Sequence, residues 1–540
     1  MAKVTLDVTF DGTTTVDRLD GQSSIQWFGT PPDTTSMDIY SVYLEGDDTL
    51  EATAGLTGSD WRIKYFRIAG DNHVTTISDL DAGEDRRIET LLLGYNSELS
   101  LISTRVDFIY GWEGDKHVIK LGDQQESSIK AIMLSADLNI IQTGVAHVSN
   151  IRTDNGDNVS RITVNSGGVG SIKTGDGADR LIVQDGGSVD AVNLKGGDDT
   201  VIVRGDARVE FLRAYDGDKT ISIIGEESRL RNIKLGDGSH EVTSDSYISH
   251  INAYESDLTL TLNGGAGVIS IDREAGQTHS HNVVINGSIS SFVATDRGSD
   301  ATDDQSTRIT LNGYSGSVML GNGKDLVKTG AEYVEHISTS GGNDKVVMGT
   351  GGIGFIRTGA GNDTVQLNRS DPDYGVVLQG ESGTDTLDFL KLKSGVVFSL
   401  GEAGAYQKPE GDMSGYYSAV GFENLKGSNA ADILVGSGSS NLLIGRKGND
   451  TLVGGEGDDT LAGNAGRDVF VFGANGGTDT VRDYQDGIDL LLIEDNAGGF
   501  KTLDISKEGK HWVIDYDGGT IILQGAAGDT TLTRADFDFV

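Results

Sequence analysis

Apolar and polar positions alternate along this chain in short runs. Glycine- and aspartate-rich turns interrupt the runs with a period near twenty residues, from about residue 40 to residue 390. The unit 188–206, SVDAVNLKGGDDTVIVRGD, shows the pattern. Val189, Ala191 or Val192, and Leu194 mark one strand, Gly196-Gly197-Asp198-Asp199 a turn, Val201 and Val203 a shorter strand, and Gly205-Asp206 a second turn. A two-residue alternation turns one face of each strand toward a core. Related units carry Gly175, Gly177 and Asp179, then Gly341, Gly342 and Asp344, then Gly359, Gly361 and Asp363. Turn aspartates recur 20 residues apart (Asp179 to Asp199) or 19 apart (Asp325 to Asp344, Asp344 to Asp363). Weaker copies stand at Gly46-Asp47-Asp48, Gly70-Asp71-Asn72 and Gly114-Asp115-Lys116.

Two strands and two turns per period describe one coil of a parallel β-helix, because Val, Ile and Thr favour strands and helix formers are not enriched. Composition agrees: glycine is 77 of 540 residues and proline only 4, which favours many tight turns over collagen or proline-rich disorder. The net charge of −39 argues against nucleic acid and anionic membrane surfaces as partners. It also makes cation binding a question that the spacing of the aspartates must answer. With no cysteine there are no disulfides and no thiol chemistry. There is no apolar run long enough for a membrane-spanning helix, and MAKVTLDVTF lacks the apolar stretch of a signal peptide.

From residue 427 the period halves. GSNAADILV, GSGSSNLLI, GRKGNDTLV, GGEGDDTLA and GNAGRDVFV follow one another. Their sixth positions are Asp432, Asn441, Asp450, Asp459 and Asp468; their eighth are Leu434, Leu443, Leu452, Leu461 and Phe470. Six residues form a turn and three a strand whose large apolar residue fills the core. Two units make one coil, so Asp432, Asp450 and Asp468 form one row, and Asn441 and Asp459 the other. Stacked carboxylates repel unless a hard cation lies between them, and a flexible all-oxygen cage suits Ca²⁺ better than Mg²⁺.

These units resemble the RTX family of hemolysin-type calcium-binding repeats, GGxGxDxUx, whose calcium-binding pattern is well described. In layout the chain is closest to surface-layer or matrix-type members exported by type I secretion. The resemblance implies ions held between turns n and n+2 by backbone carbonyls and two Asp side chains. One site would use Arg446, Gly448 and Asp450 with Gly463, Ala465 and Asp468. A second would use Ser428, Ala430 and Asp432 with Gly445, Lys447 and Asp450. A third would use Ser437, Ser439 and Asn441 with Gly454, Glu456 and Asp459. Asn441 replaces the family's Asp, and Ala430 its fourth-position Gly. Upstream, the candidate ligands are Asp325, Asp344 and Asp363, then Asp179 and Asp199.

The expected fold is all-β: a right-handed parallel β-solenoid (β-helix) continuing into a C-terminal RTX parallel β-roll. N-terminal strands at 1–45 precede the solenoid at 46–400, which holds an inserted loop near 272–310. A junction at 401–426, the roll at 427–472, and a cap with a secretion signal at 473–540 follow. The C-terminal TLTRADFDFV resembles the uncleaved acidic and apolar signals of type I export. The resemblance therefore implies a secreted, cell-surface protein whose cofactor is several Ca²⁺ ions.

Enzyme signatures are missing. Ser239-His240-Glu241 does not continue into HExxH, and no GxSxG occurs. His279 and His281 read as loop residues. Arg204, Arg208, Arg213, Tyr215, Arg229 and Arg231 are candidates for a polysaccharide-active patch of lyase or C5-epimerase type. The leading expectation is a non-enzymatic structural protein assembling on calcium into sheets or filaments. The alternatives are the polysaccharide enzyme or a carbohydrate-binding adhesin rod, with no insertion into membranes.

Overall fold

The computed structural model describes residues 63–68, 74–77, 87–102, 105–112, 114–122, 128–154, 156–272, 279–295, 306–368, 376–400, 417–494, 498–526 and 531–540, with the backbone alone at the remaining strand positions. The turns at 46–48 and 70–72 lie outside these residues. The chain is all-β, a parallel β-solenoid; among the described residues the helical segments are the short 3-10 turns Gly499–Thr502 and Arg534–Asp536. It divides into two compact units, Met1–Ile269 and Ser270–Val540.

The first unit opens with two antiparallel pairs: Ala2–Thr9 with Thr14–Asp17, and Ser24–Phe28 with Met37–Glu45. Every later coil supplies two strands, one to each of two parallel sheets. Ser188–Leu194 pairs with Arg208–Ala214 in one sheet, and Asp199–Arg204 with Lys219–Ile224 in the other. Alternation decides the faces. Val189, Val192 and Leu194 from one strand, and Val201 and Val203 from the next, are buried between the sheets. Such sheets, stacked coil on coil, satisfy their backbone groups between coils and need only a thin core.

In the second unit the stretch 272–310 is not simply an inserted loop. It contains strands Ser280–Ile285 and Ile289–Arg297, and Ser280 pairs with Ser306. The coil is kept and only lengthened, to 26 residues between Asn286 and Asn312. Farther along, the second partner sheet is exchanged. Val376–Gly383 still pairs with Tyr417–Val420, but Val397–Ser399 begins a new row that continues through Ile433–Val435, Thr451–Val453, Val469–Phe472, Leu490–Ile493 and Phe537–Phe539. Opposite it run Asn424–Lys426, Leu442–Lys447, Thr460–Ala465 and Gly477–Val481. Leu434, Leu443, Leu452, Leu461 and Phe470 fill the space between, all fully buried. The antiparallel run Asp504–Glu508, His511–Tyr516 and Gly519–Leu523 closes the sheet edge, with Gly519–Leu523 pairing to Gly477–Val481.

Candidate metal centre

One six-residue turn recurs in the second unit. It appears at 339–344, 358–363, 380–385, 445–450, 454–459 and 463–468 and always ends in aspartate. Its second residue takes the left-handed conformation whatever its identity: Ser340, Gly359, Glu381, Arg446, Gly455 and Asn464 have φ between 66° and 105°. Only glycine adopts this freely, so the non-glycine positions carry strain that the stacked turns hold in place. The fourth residue is glycine because the turns lie almost in contact. A Cβ on Gly361 would run into the Gly342 carbonyl, and one on Gly466 into the Gly448 carbonyl. In the repeats the first residue is glycine for a different reason: a Cβ on Gly445, Gly454 or Gly463 would strike Oδ2 of Asp450, Asp459 or Asp468.

The aspartates form two rows. In one, the Asp432 N–H donates to Asp450 Oδ1 at 2.8 Å, the Asp450 N–H to Asp468 Oδ1 at 2.8 Å, and the Asp468 N–H to Asp489 Oδ1 at 3.0 Å. In the other, the Asn441 N–H donates to Asp459 Oδ1 at 2.7 Å and the Asp459 N–H to Asp479 Oδ1 at 3.0 Å. The same bonds link Asp325 to Asp344, Asp344 to Asp363 and Asp363 to Asp385, at 2.7–2.8 Å. The Asp385 N–H then donates to Glu423 Oε2 at 2.8 Å.

One carboxylate oxygen is thus consumed by the neighbouring coil. The other, Oδ2 of Asp385, Asp450, Asp459 and Asp468, is buried without a hydrogen-bond donor. An ionised oxygen left so is costly. The titration of these groups reflects it. Burial pushes Asp450 up to about 7, and the Asp432 and Asp468 charges add to the rise. Burial likewise pushes Asp459 to about 6, Asp479 to about 7 and Asp385 to about 7. Asp344 reaches about 8, through burial and then the neighbouring Asp325 charge.

The three sets expected from the repeats do stack turn on turn, but they differ. Turn 445–450 lies on 463–468, with Arg446 opposite Asn464, Lys447 opposite Ala465, and the Gly448 N–H on the Ala465 carbonyl at 3.0 Å. Asp450 and Asp468 both keep an open Oδ2 there. In turn 427–432 the Ser428 N–H donates to Asp432 Oδ2 at 2.7 Å and its hydroxyl to Oδ1 at 2.8 Å. The Arg446 guanidinium also covers the Gly427 carbonyl, at 2.5 Å, while bonding Asp388 Oδ1 at 2.7 Å. In turn 436–441 the Ser437 N–H donates to Asn441 Oδ1 at 2.6 Å, and Asn441 Nδ2 donates to the Glu423 carbonyl at 2.7 Å. Among the nonapeptide turns, the two with serine second satisfy their own sixth residue, and the other three leave it open.

In the first unit Asp179 and Asp199 share a row, with the Asp179 N–H on Asp199 Oδ1 at 2.9 Å, and Asp199 Oδ2 pairs with Lys219. Arg208 and Arg229 are register partners on one sheet, as are Arg213 and Lys234, while Arg231 pairs with Glu210 at 3.1 Å. Arg204 belongs to the other sheet, bonded to Gln184. Tyr215 is exposed beside the turn, and His281 is buried in its strand. Sequence reasoning missed Asp385, Asp479, Asp489 and Lys219. For Asp385 a signal existed: GESGTD at 380–385 has the glycine and aspartate spacing of GRKGND at 445–450.

Among the described residues no three His, Asp or Glu side chains converge on one point. A cation here must therefore take most of its oxygens from backbone carbonyls. Tightly stacked turns, two carboxylates per interval and no nitrogen or sulfur donor suit a hard ion with a loose shell, as Ca²⁺ has. Comparison with known families agrees. The RTX calcium-binding nonapeptide repeat matches in four copies, at 348–371, 420–452, 435–470 and 444–481. No curated protein matches the chain. Among solved structures, the extracellular lipase LipA from Serratia marcescens aligns at 17% identity and a TM-score of 0.17. That alignment covers 44% of this chain and 46%, about half, of the lipase. The stacked acidic turns and the family match together identify this chain as one that carries RTX calcium-binding nonapeptide repeats and binds several calcium ions through them.

Proposed function

We propose that this chain is a secreted structural protein of the bacterial cell surface or extracellular matrix, which folds and then assembles with copies of itself when calcium binds. One observation supports the calcium-coupled part: the buried, donorless Oδ2 atoms of Asp385, Asp450, Asp459 and Asp468. Folding without a cation would bury these charges unpaired. A cation that binds only the folded turns adds its binding free energy to folding. The acidic repeats would stay open in a low-calcium cytosol and close outside the cell. This matches the type I export of proteins that carry such repeats. Far-ultraviolet circular dichroism with chelator tests the coupling: loss of β signal is expected, and an unchanged spectrum and melting point would refute it. Electron microscopy in calcium tests the assembly. Sheets or filaments are expected, and dispersed single particles would count against it.

A second reading, binding of an anionic polysaccharide, draws on one feature of the first unit. Arg152, Lys173, Arg213 and Lys234 fall in one column of a single sheet, with Asn193 between them. Retention on immobilised polyuronate, lost in Arg213→Ser/Lys234→Ser, would favour it; release of unsaturated uronate would extend it to catalysis.

A further inference from the structure

The first unit has its own buried row at the corner between the sheets. His117, Asn139, Asp179, Asp199, Lys219 and His240 succeed one another there from coil to coil, with Ser160 between Asn139 and Asp179. All are buried. Four of them carry N–H donors, and each covers a carbonyl of its own turn. His117 Nε2 lies 2.7 Å from the Trp112 carbonyl, Asn139 Nδ2 2.8 Å from that of Ala136, and His240 Nε2 2.9 Å from that of Gly236. A carbonyl only accepts, so each ring nitrogen holds the proton. Burial lowers both imidazoles, which keeps them neutral.

Lys219 goes further. Its side chain is 1% exposed, and its ammonium meets the Gly197 carbonyl at 2.5 Å, the Asp216 carbonyl at 2.6 Å and Asp199 Oδ2 at 3.2 Å. Two carbonyls and a carboxylate drawn from two successive turns are the kind of oxygens a hard cation gathers. Lys219 stands in register where the row's next aspartate would be, directly after Asp199. The run of carboxylate acceptors stops there, and the Asp199 N–H is taken by the Asp218 carbonyl at 2.9 Å. The turns also differ from those of the second unit, because Gly175, Lys195 and Tyr215 at the second position stay outside the left-handed region.

We propose that the Lys219 ammonium is a built-in replacement for a calcium ion. The protein meets Asp199, at the end of the acidic row, with its own positive charge, and the strands on either side of this pair fold without metal. Asp199, a candidate calcium ligand by sequence, is on this account the partner of a lysine, and Asp179 is tied to it through its own N–H while its Oδ2 stays buried without a donor. The inference rests on the calcium reading of the second unit's turns. It adds that one stretch of the same chain is indifferent to chelation.

Hydrogen exchange followed by mass spectrometry on the full chain tests it, since each region reports separately. In chelator the wild-type strands Asp199–Arg204 and Lys219–Ile224 are expected to stay protected while Leu442–Lys447 and Thr460–Ala465 exchange. Lys219→Met leaves Asp199 buried without its partner, and exchange at 199–224 should rise on the order of 100-fold, with calcium giving no rescue. Lys219→Asp restores the acidic row; protection should be lost in chelator and return with calcium. Three results would overturn the proposal: wild-type 199–224 opening in chelator, Lys219→Met keeping its protection, or Lys219→Asp showing no return with calcium. Protection of 442–465 in chelator would instead refute the calcium reading, and it is read from different peptides.

Discussion

Asp450→Asn should change the sign of its effect with calcium. The amide can keep Oδ1 on the Asp432 N–H, so the bond between coils survives. What changes is Oδ2, the buried atom with no donor. In chelator at about pH 8 the wild-type carboxylate is ionised against its environment, having been pushed up to about 7 by burial beside Asp432 and Asp468. A tenfold change in proton affinity corresponds to about 1.4 kcal/mol. Discounted for screening at the edge of the coil, neutralising this group should stabilise the metal-free repeats by about 2 kcal/mol. In calcium the same change removes a ligand charge. The calcium-loaded state carries the metal-free gain as well, so the sign turns only if affinity falls more than about 30-fold; a loss of about 100-fold, about 2.7 kcal/mol at saturation, leaves the loaded repeats about 0.7 kcal/mol less stable. Hydrogen-exchange protection over Thr451–Val453 should therefore be gained by the variant in chelator, where the wild-type strand exchanges, and be reduced relative to wild type in calcium. A change of the same sign in both would refute the assignment of Oδ2 to the ion.

Gly445→Ala places a methyl against Asp450 Oδ2; it should lower calcium stoichiometry by equilibrium dialysis, while Gly438→Ala, where only the tip of Glu456 comes near, should not. Leu452→Ala empties a fully buried position and should destabilise the calcium-loaded roll by about 2–5 kcal/mol, by local exchange in calcium. The metal-free protein should lose stability as pH rises. Asp459, Asp450 and Asp344 have folded values near 6, 7 and 8, above the unfolded one. Their contribution is fully present below about pH 4 and is lost as pH climbs through those values. Melts in chelator should show that fall, and calcium should remove it.

The coil was legible because alternation and turn spacing repeat: 188–206 already separates its two strands, and the eighth positions of the nonapeptides name the roll's core. Other features are set by register, which no single repeat contains. Asp385 and Glu423 are stacked neighbours 38 residues apart, because a long stretch intervenes between their coils. Asp479 and Asp489 follow the last clean nonapeptide, yet they accept the N–H groups of Asp459 and Asp468. Lys219 looks like an ordinary surface lysine in DGDKT, until the register puts it after Asp199. The serines of the first two repeats match the spacing of the others, and only the hydrogen bonds reveal that they occupy the side-chain oxygens of Asp432 and Asn441 themselves.

The bonds between the aspartates all point one way. Each carboxylate reaches back to an N–H of the coil before it, so every coil is completed by the one that follows in sequence. This gives the stack a polarity. The C-terminal strands are therefore expected to act as the template, with order spreading from them toward the N-terminus, as in a zip with its slider fixed at one end. A chain that leaves a pore C-terminus first would deliver its template before anything that needs it.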